Sequence, residues 1–123
     1  MEANVQSSYC CRPGPKQEKA YNHLCNSLDR LINDGNPVHY RKGQVIFYEG
    51  HHPCGFYLLK QGRVSLKESE AGARPKMHPT EDKLLGLVHL LSETPYCSTC
   101  MAEDDVDVVF IPKAAVIQHL DEN

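Results

Sequence analysis

The chain has 123 residues, which is enough for one domain with a hydrophobic core but not for two. Hydrophobic residues make up 41% of it and the net charge is −3, so no basic surface for nucleic acid is expected. The apolar runs are too short to span a bilayer, and the polar N-terminal residues predict no signal peptide. We therefore expect a cytoplasmic protein that by itself contacts neither membrane nor nucleic acid.

The cysteine content needs its own interpretation, because an even number in a small secreted domain would indicate a disulfide framework. The six positions are Cys10, Cys11, Cys25, Cys54, Cys97 and Cys100. Nothing in the sequence indicates export, and the apolar content suffices for a core without cross-links. We expect free thiols in a reducing compartment.

The N-terminal part divides into two segments. Residues 1–15 combine Ser, Cys, Pro and Gly, which predicts a flexible tail. Residues 16–35 predict a single amphipathic helix that ends at Gly35. Its apolar residues recur at spacings of three and four, at Ala20, Leu24, Leu28, Leu31 and Ile32. A helix of this length is marginal alone, so it must pack on the domain predicted over residues 36–123.

Short strands are predicted in the middle of the chain, in the run YRKGQVIFYEGHHPCGFYLLKQGRVSL over residues 40–66. Gly43 precedes the first of its three apolar segments, and Gly50 and Gly62 separate the three from one another. Strands of about four residues with a turn between each pair are typical of a small β-barrel or β-roll. The glycines fit turns in which the backbone takes a positive φ.

The second half of the chain continues this alternation. Residues 68–83 are charged and contain Gly and Pro, which predicts an exposed loop. Residues 84–91 predict a strand end that runs into one helical turn, and residues 92–95 predict a turn. Residues 106–111 predict a buried strand, and residues 112–120 a short final helix with Pro112 near its first turn.

Taken together, the segment from about Val38 to Leu120 resembles the cyclic-nucleotide-binding domain of the Crp/Fnr type. Three groups of residues, in order along the chain, carry the resemblance: Gly43, Ile46-Phe47, Glu49-Gly50, Phe56-Tyr57-Leu58, Gly62 and Val64; then Leu85-Gly86, Leu90-Leu91 and Thr94-Pro95; then Val106–Pro112. The resemblance implies a mainly β fold, an antiparallel double-stranded β-roll. It would be jelly-roll-like, with about eight short strands, an N-terminal amphipathic helix and a short C-terminal helix.

The resemblance also implies a ligand pocket, in which a Glu after the cassette Gly contacts the ribose and an Arg after Thr-Pro pairs with the cyclic phosphate. Gly86 matches that Gly, but Leu87 replaces the Glu and Tyr96 replaces the Arg. We expect both side chains to pack into the former pocket and close it. The alternatives are that the pocket still binds a cyclic nucleotide or that it binds a different ligand. The pocket residues implied are Gly86, Leu87, Val88, His89, Thr94, Pro95, Tyr96, Cys97 and Ser98.

Metal and haem sites are weighed on two groups of residues. Cys97 and Cys100 form a C-x-x-C, which is half of a zinc site, and no second pair follows. Haem or metal could bind through the His and Cys residues His51, His52, Cys54 or His89, as in related sensors. We expect a solvated turn at His51-His52, a hydrogen-bonded core residue at His89, and neither metal nor cofactor.

The expected function is a non-catalytic regulatory or sensor module, because no nucleophile–base pair and no P-loop, GxSxG or HExxH motif is present. A protein partner or a small-molecule ligand fits such a module, and a homodimer is left open. One alternative is the effector-binding domain of a Crp/Fnr-type transcription regulator that senses cAMP, cGMP or another small ligand. The sequence ends at Asn123, before any helix-turn-helix. A haem or metal sensor is the other.

Overall fold

The computed structural model describes residues 14–68, 76–80 and 83–121. In these ranges the chain forms helices and strands in the order α1 (Glu18–Cys25), α2 (Leu28–Asn33), β1 (Asn36–Tyr40), β2 (Val45–Phe47), β3 (Gly55–Gln61), β4 (Val64–Glu68), β5 (Lys76–Thr80), β6 (Leu84–Leu85), α3 (Leu87–Ser92), β7 (Thr99–Ala102), β8 (Val106–Pro112) and α4 (Lys113–Asp121). The predicted tail over residues 1–15 lies almost wholly outside the described part. No helix in that part is long and apolar enough to cross a membrane.

The strands form two antiparallel sheets of four, in the orders β1-β8-β3-β6 and β2-β7-β4-β5. One hydrophobic cluster lies between the sheets and draws residues from both, among them Phe47, Leu66 and Val108. A second cluster joins the helices to the outer face of the first sheet. Strand β8 is buried on both faces, since Val108 belongs to the first cluster and Ile111 to the second. The mainly β roll with flanking helices is thus confirmed.

The single helix predicted over residues 16–35 is wrong in one respect, because the structure divides it into α1 and α2. Ser27 leaves the helical region with φ −123° and ψ 20°. Its backbone N–H donates to the Leu24 carbonyl at 3.0 Å, three residues back. Asn26 and Ser27 both favour bonds to nearby backbone over a continuing helix, which explains the break at this point. Leu24 and Leu31 still enter the same cluster.

The exposed loop predicted over residues 68–83 is also corrected. Residues Lys76–Thr80 form strand β5, which pairs antiparallel with β4 from Val64↔Thr80 to Glu68↔Lys76. Pro79 supplied part of the loop signal, because proline cannot donate to a strand ladder. The strand lies at the edge of its sheet, where a missing N–H can be tolerated on the outer side.

Two turns at one end of the roll are bonded to each other. The Arg63 N–H donates to Asp104 Oδ1 at 2.9 Å, and the Glu103 N–H donates to the Arg63 carbonyl at 2.8 Å. Gly62 has φ +98°, and an added Cβ would collide with the Asp105 carbonyl oxygen. A glycine is therefore required where the β3–β4 turn rests on the β7–β8 turn.

Candidate functional site

The residues implied as a pocket gather around the start of α3. Gly86 begins this helix with φ 85°, in the left-handed region that favours glycine. A Cβ added there would lie 2.9 Å from Tyr96 Cε1. Gly86 therefore does two things: it turns the chain from β6 into α3, and it leaves room for the Tyr96 ring against its backbone.

Tyr96 is held by its backbone and by its ring. Its N–H donates to the His51 carbonyl at 3.0 Å, and its own carbonyl accepts from the Gly50 N–H at 2.9 Å. The ring stacks on Phe47, with centroids 3.9 Å apart and planes 15° from parallel, and the residue is 5% exposed. Burial, more than the neighbouring tyrosines and cysteines, raises the pKa of Tyr96 far above its usual value. Its hydroxyl is neutral at any ordinary pH.

Leu87, the other substituted position, packs elsewhere. It is fully buried and belongs to the second cluster, with Leu24, Phe56 and Leu90, whereas Tyr96 belongs to the first. Leu87 and Tyr96 thus fill different parts of the core. Leu87 fixes α3 to the N-terminal helices, and Tyr96 occupies the space beside Gly86.

His89 is tied to the end of its own helix by side-chain hydrogen bonds. Its Nδ1 lies 3.0 Å from Thr94 Oγ1, which lies 3.1 Å from Ser92 Oγ. Ser92 donates its hydroxyl hydrogen to the Val88 carbonyl at 2.7 Å. Ser92 must then accept from Thr94, and Thr94 must accept from His89 for every contact to be satisfied. In this arrangement His89 Nδ1 carries a hydrogen and donates it to Thr94 Oγ1.

The other implied residues are less central. Thr94 and Pro95 are exposed, Val88 and Cys97 are half-buried, and Ser98 is buried. Cys100 lies in the first cluster, fully buried, and this burial raises its pKa to about 12. A thiol so protected is a poor metal ligand, because ligation requires the thiolate. The two sulfurs of the C-x-x-C therefore differ, because Cys97 is half-buried and Cys100 is fully buried.

The candidate metal ligands of the β2–β3 turn do not form part of a group of metal-ligating side chains. His51, His52 and Cys54 are all exposed. Among the residues that the structure describes, no group of three or more His, Cys, Asp or Glu side chains could hold a metal ion.

A half-open cavity of about 200 Å³, the aromatic cavity, opens beside Tyr96. Its lining residues are Ile46, Phe47, Tyr48, His51, His52, Cys54, Tyr57, Tyr96 and Phe110. None of them is Lys or Arg. Burial raises the pKa of Tyr57 to about 12, with further contributions from Tyr40, to which its hydroxyl is hydrogen-bonded. The lining of this cavity is mainly aromatic and holds no permanent cation, and its volume is below the usual range for small-molecule sites.

A second cavity of about 270 Å³, the His89 cavity, lies at the other end of α3. It is lined by His52, Pro53, His89, Leu90, Glu93 and Lys113. The sequence reasoning missed Glu93 and Lys113 here, as it missed Phe47, Tyr57 and Phe110 in the aromatic cavity. Lys113 carried one usable signal, since it lies in the first turn of the predicted final helix, close to the end of the last predicted strand.

Comparison with solved structures supports the fold. A Silicibacter pomeroyi DSS-3 protein described as a cAMP-binding regulatory protein superposes with a TM-score of 0.69 at 17% identity, over 78% of this chain and 45% of that one. DNR from Pseudomonas aeruginosa superposes with a TM-score of 0.67 at 22% sequence identity, over 78% of this chain and 44% of that one. The Thermus thermophilus catabolite activator protein superposes with a TM-score of 0.64 at 22% sequence identity, over 78% of this chain and 47% of that one. The chain spans under half the length of these proteins.

A search of curated protein sequences finds no match. The family model described as "Cyclic nucleotide-binding domain" matches residues 37–123, which is most of the chain and includes β2 to β8 and all but the first residue of β1. By that match, and by the two-sheet roll around Gly86 and Tyr96, this chain belongs to the cyclic nucleotide-binding domain family.

Proposed function

We propose that this chain is a non-catalytic regulatory module in which Tyr96 closes the standard nucleotide site, so that cAMP and cGMP do not bind in the usual way. One observation carries the proposal. The Tyr96 ring lies against Gly86, where a Cβ would be 2.9 Å from Cε1, and stacks on Phe47 at 3.9 Å. The position at which the family has its phosphate-binding Arg is thus occupied by a buried, neutral ring.

The chemistry of the substituted positions points the same way. Neither Leu87 nor the neutral Tyr96 can replace a charged contact, and no Lys or Arg lines the aromatic cavity. Hydrogen bonds to charged groups contribute about 1.5–3 kcal/mol each. The loss of two would cost roughly 3–6 kcal/mol, or about 10²- to 10⁴-fold in affinity.

Calorimetric titration with cAMP and with cGMP tests this proposal. We expect no saturable heat at micromolar nucleotide. The Tyr96→Arg variant returns the cation and is expected to bind at least about tenfold more tightly than the parent, while Tyr96→Phe, the matched control, stays unchanged. Micromolar, saturable binding of either nucleotide to the unaltered chain would contradict the proposal.

The remaining features of the proposal are coarser. Four cysteines in the described ranges are free thiols, which is in keeping with a reducing cytoplasm. Regulation then occurs through a protein partner, a second copy of the chain or a small ligand other than a cyclic nucleotide, without a resident metal or other cofactor.

A second candidate function is the effector-binding domain of a longer Crp/Fnr-type transcription regulator. It is favoured by the coverage, because the superposed regulators are more than twice as long as the part that this chain matches. Sequencing the gene beyond codon 123 separates the two candidates. A helix-turn-helix encoded downstream favours the regulator, and a stop codon favours the stand-alone module.

A further inference from the structure

The aromatic cavity is formed by side chains from both sheets. Phe47 is the last residue of β2 in the second sheet, whereas Tyr57 and Phe110 are directly paired residues of β3 and β8 in the first. Directly paired residues of neighbouring strands project from the same face of a sheet, so these two rings lie side by side. Together with Tyr96 and the 52% exposed Tyr48, they line a space of about 200 Å³ with five aromatic rings.

Two more of these rings, besides Tyr96, are held in place by their neighbours. The Phe110 ring lies against Gly55, where an added Cβ would be 2.7 Å from Phe110 Cζ. The Tyr57 hydroxyl is hydrogen-bonded to Tyr40, and the Tyr57 and Phe110 rings are 5.0 Å apart at an angle of 52°. A lining that is ordered in advance loses little conformational freedom when a ligand enters, so less of the binding free energy is lost to ordering.

The lining of the cavity lacks the groups that most charged ligands require. Among the described residues that line it, none is Lys, Arg, Asp or Glu. An anion would therefore find no counter-ion, and an ammonium or guanidinium group with N–H donors would find no carboxylate to accept its hydrogens. Aromatic ring faces, in contrast, carry partial negative charge and attract cations. The ligand that suits this lining is a cation without N–H groups, that is, a quaternary ammonium.

We propose that the aromatic cavity binds a trimethylammonium group, the headgroup of choline and of trimethyllysine side chains. Its methyl groups contact the rings of Tyr48, Tyr57 and Phe110, the three that are not fully buried, and the rest of the molecule extends to solvent through the half-open mouth. A volume of about 200 Å³ accepts this headgroup, although it is small for a whole ligand. This inference rests on the proposed function, because Tyr96 has to stay in the lining for the site to exist.

Calorimetry with choline tests the proposal against 3,3-dimethylbutan-1-ol, a neutral alcohol of the same shape in which carbon replaces the charged nitrogen. We expect saturable binding of choline and binding of the alcohol that is at least about tenfold weaker. In the NMR spectrum, the N-methyl proton signal of choline should move upfield on binding, because the methyl groups lie over ring faces. The proposal is overturned if choline does not bind or if the alcohol binds equally well.

The source of the headgroup is settled by a second titration, with a short neutral peptide that carries one trimethyllysine. Tighter binding of the peptide than of choline assigns the headgroup to a protein partner, and tighter binding of choline assigns it to a free small molecule. Either order supports a trimethylammonium site. The same peptide with unmethylated lysine is the control, and equal binding of the two peptides would contradict the proposal.

Variants of the lining give an independent measurement. Tyr48→Leu removes an exposed ring, so the fold should persist, and choline binding should weaken about fivefold or more. Tyr21→Leu, the same change at a half-buried ring on α1 outside the cavity, is the matched control and should leave binding unchanged. Tyr96→Arg places a cation in the lining and should abolish choline binding, whereas Tyr96→Phe keeps the ring and should retain it. Equal losses in Tyr48→Leu and Tyr21→Leu would overturn the proposal.

The two proposals fail on different results. Saturable binding of cAMP or cGMP to the unaltered chain contradicts the closed nucleotide site. Absence of choline binding in a chain that also binds neither nucleotide overturns only the trimethylammonium site and leaves the closed nucleotide site in place.

Discussion

Gly86 and Tyr96 depend on each other, because the missing side chain of one is the space that the other occupies. The ring lies within van der Waals distance of the Gly86 backbone and is clamped on its other face by Phe47. Either residue alone has an ordinary explanation, a turn glycine or a core aromatic. The pair shows that Gly86 serves the packing of Tyr96 as well as the turn into α3.

We predict that the substitutions Gly86→Ala and Tyr96→Ala are coupled. Tyr96→Ala empties a buried aromatic position and should lower the free energy of unfolding by about 3–5 kcal/mol. Gly86→Ala should be destabilising through both its positive φ and its collision with Cε1. In the Tyr96→Ala background only the φ part, about 1–2 kcal/mol, should remain. Urea denaturation of the two single variants and the double variant measures the coupling, and strict additivity would contradict it.

At this scale the sequence predicted positions better than contacts. Gly86 and Tyr96 could be found because each matches a fixed place in a motif. That Phe47 stacks on Tyr96 could not, because strand β2 shifts register against β7 between Val45 and Phe47. Such an irregularity changes which side chains meet, and no local pattern marks it.

The helices α1 and α2 act as one packing element in spite of their break. Leu24 and Leu31 are 0% and 1% exposed in the cluster that covers the outer face of the first sheet. The turn at Asn26 and Ser27 therefore adjusts direction without changing the buried face. The apolar spacing predicted the face correctly, but it could not predict the break, which depends on backbone bonds of Ser27.

We predict that Leu24→Ala lowers the free energy of unfolding by about 2–5 kcal/mol, because the site lies between helices and sheet and cannot collapse freely. Asn22→Ala, on the exposed side of the same helix, is the control and should change it by less than about 0.5 kcal/mol. Thermal or urea unfolding of both variants checks this. A similar loss in both would indicate an effect on helix formation instead of packing.

For the molecule as a whole, buried acids that stay protonated in the fold determine its response to alkaline pH. Burial raises the pKa of Cys100 from 9.0 to about 12. The unfolded chain loses this proton from about pH 9, whereas the folded chain keeps it. The contribution of this proton to the free energy of unfolding is therefore fully present below pH 9 and is lost as the pH rises towards 12. Tyr57 acts in the same direction from its ordinary pKa of 10.

We predict that Cys100→Ala reduces this loss by about 1 kcal/mol between pH 9 and pH 10, since one pKa unit corresponds to about 1.4 kcal/mol. The measurement is the free energy of unfolding in urea at pH 8, 9 and 10 for both chains. Cys54→Ala, at an exposed thiol, should leave the slope with pH unchanged. Equal slopes for the parent and Cys100→Ala would contradict the assignment.

The pairing of β1 with β8 has a consequence for how the chain acquires its structure. Asn36 lies opposite Phe110, so the first strand of the domain is matched with the last one. During synthesis β1 leaves the ribosome long before β8, its partner strand, exists. Closing so long a loop is slow compared with local folding. We conclude that the first sheet is completed late, and that a nascent chain halted before Val106 leaves β1 without its partner strand.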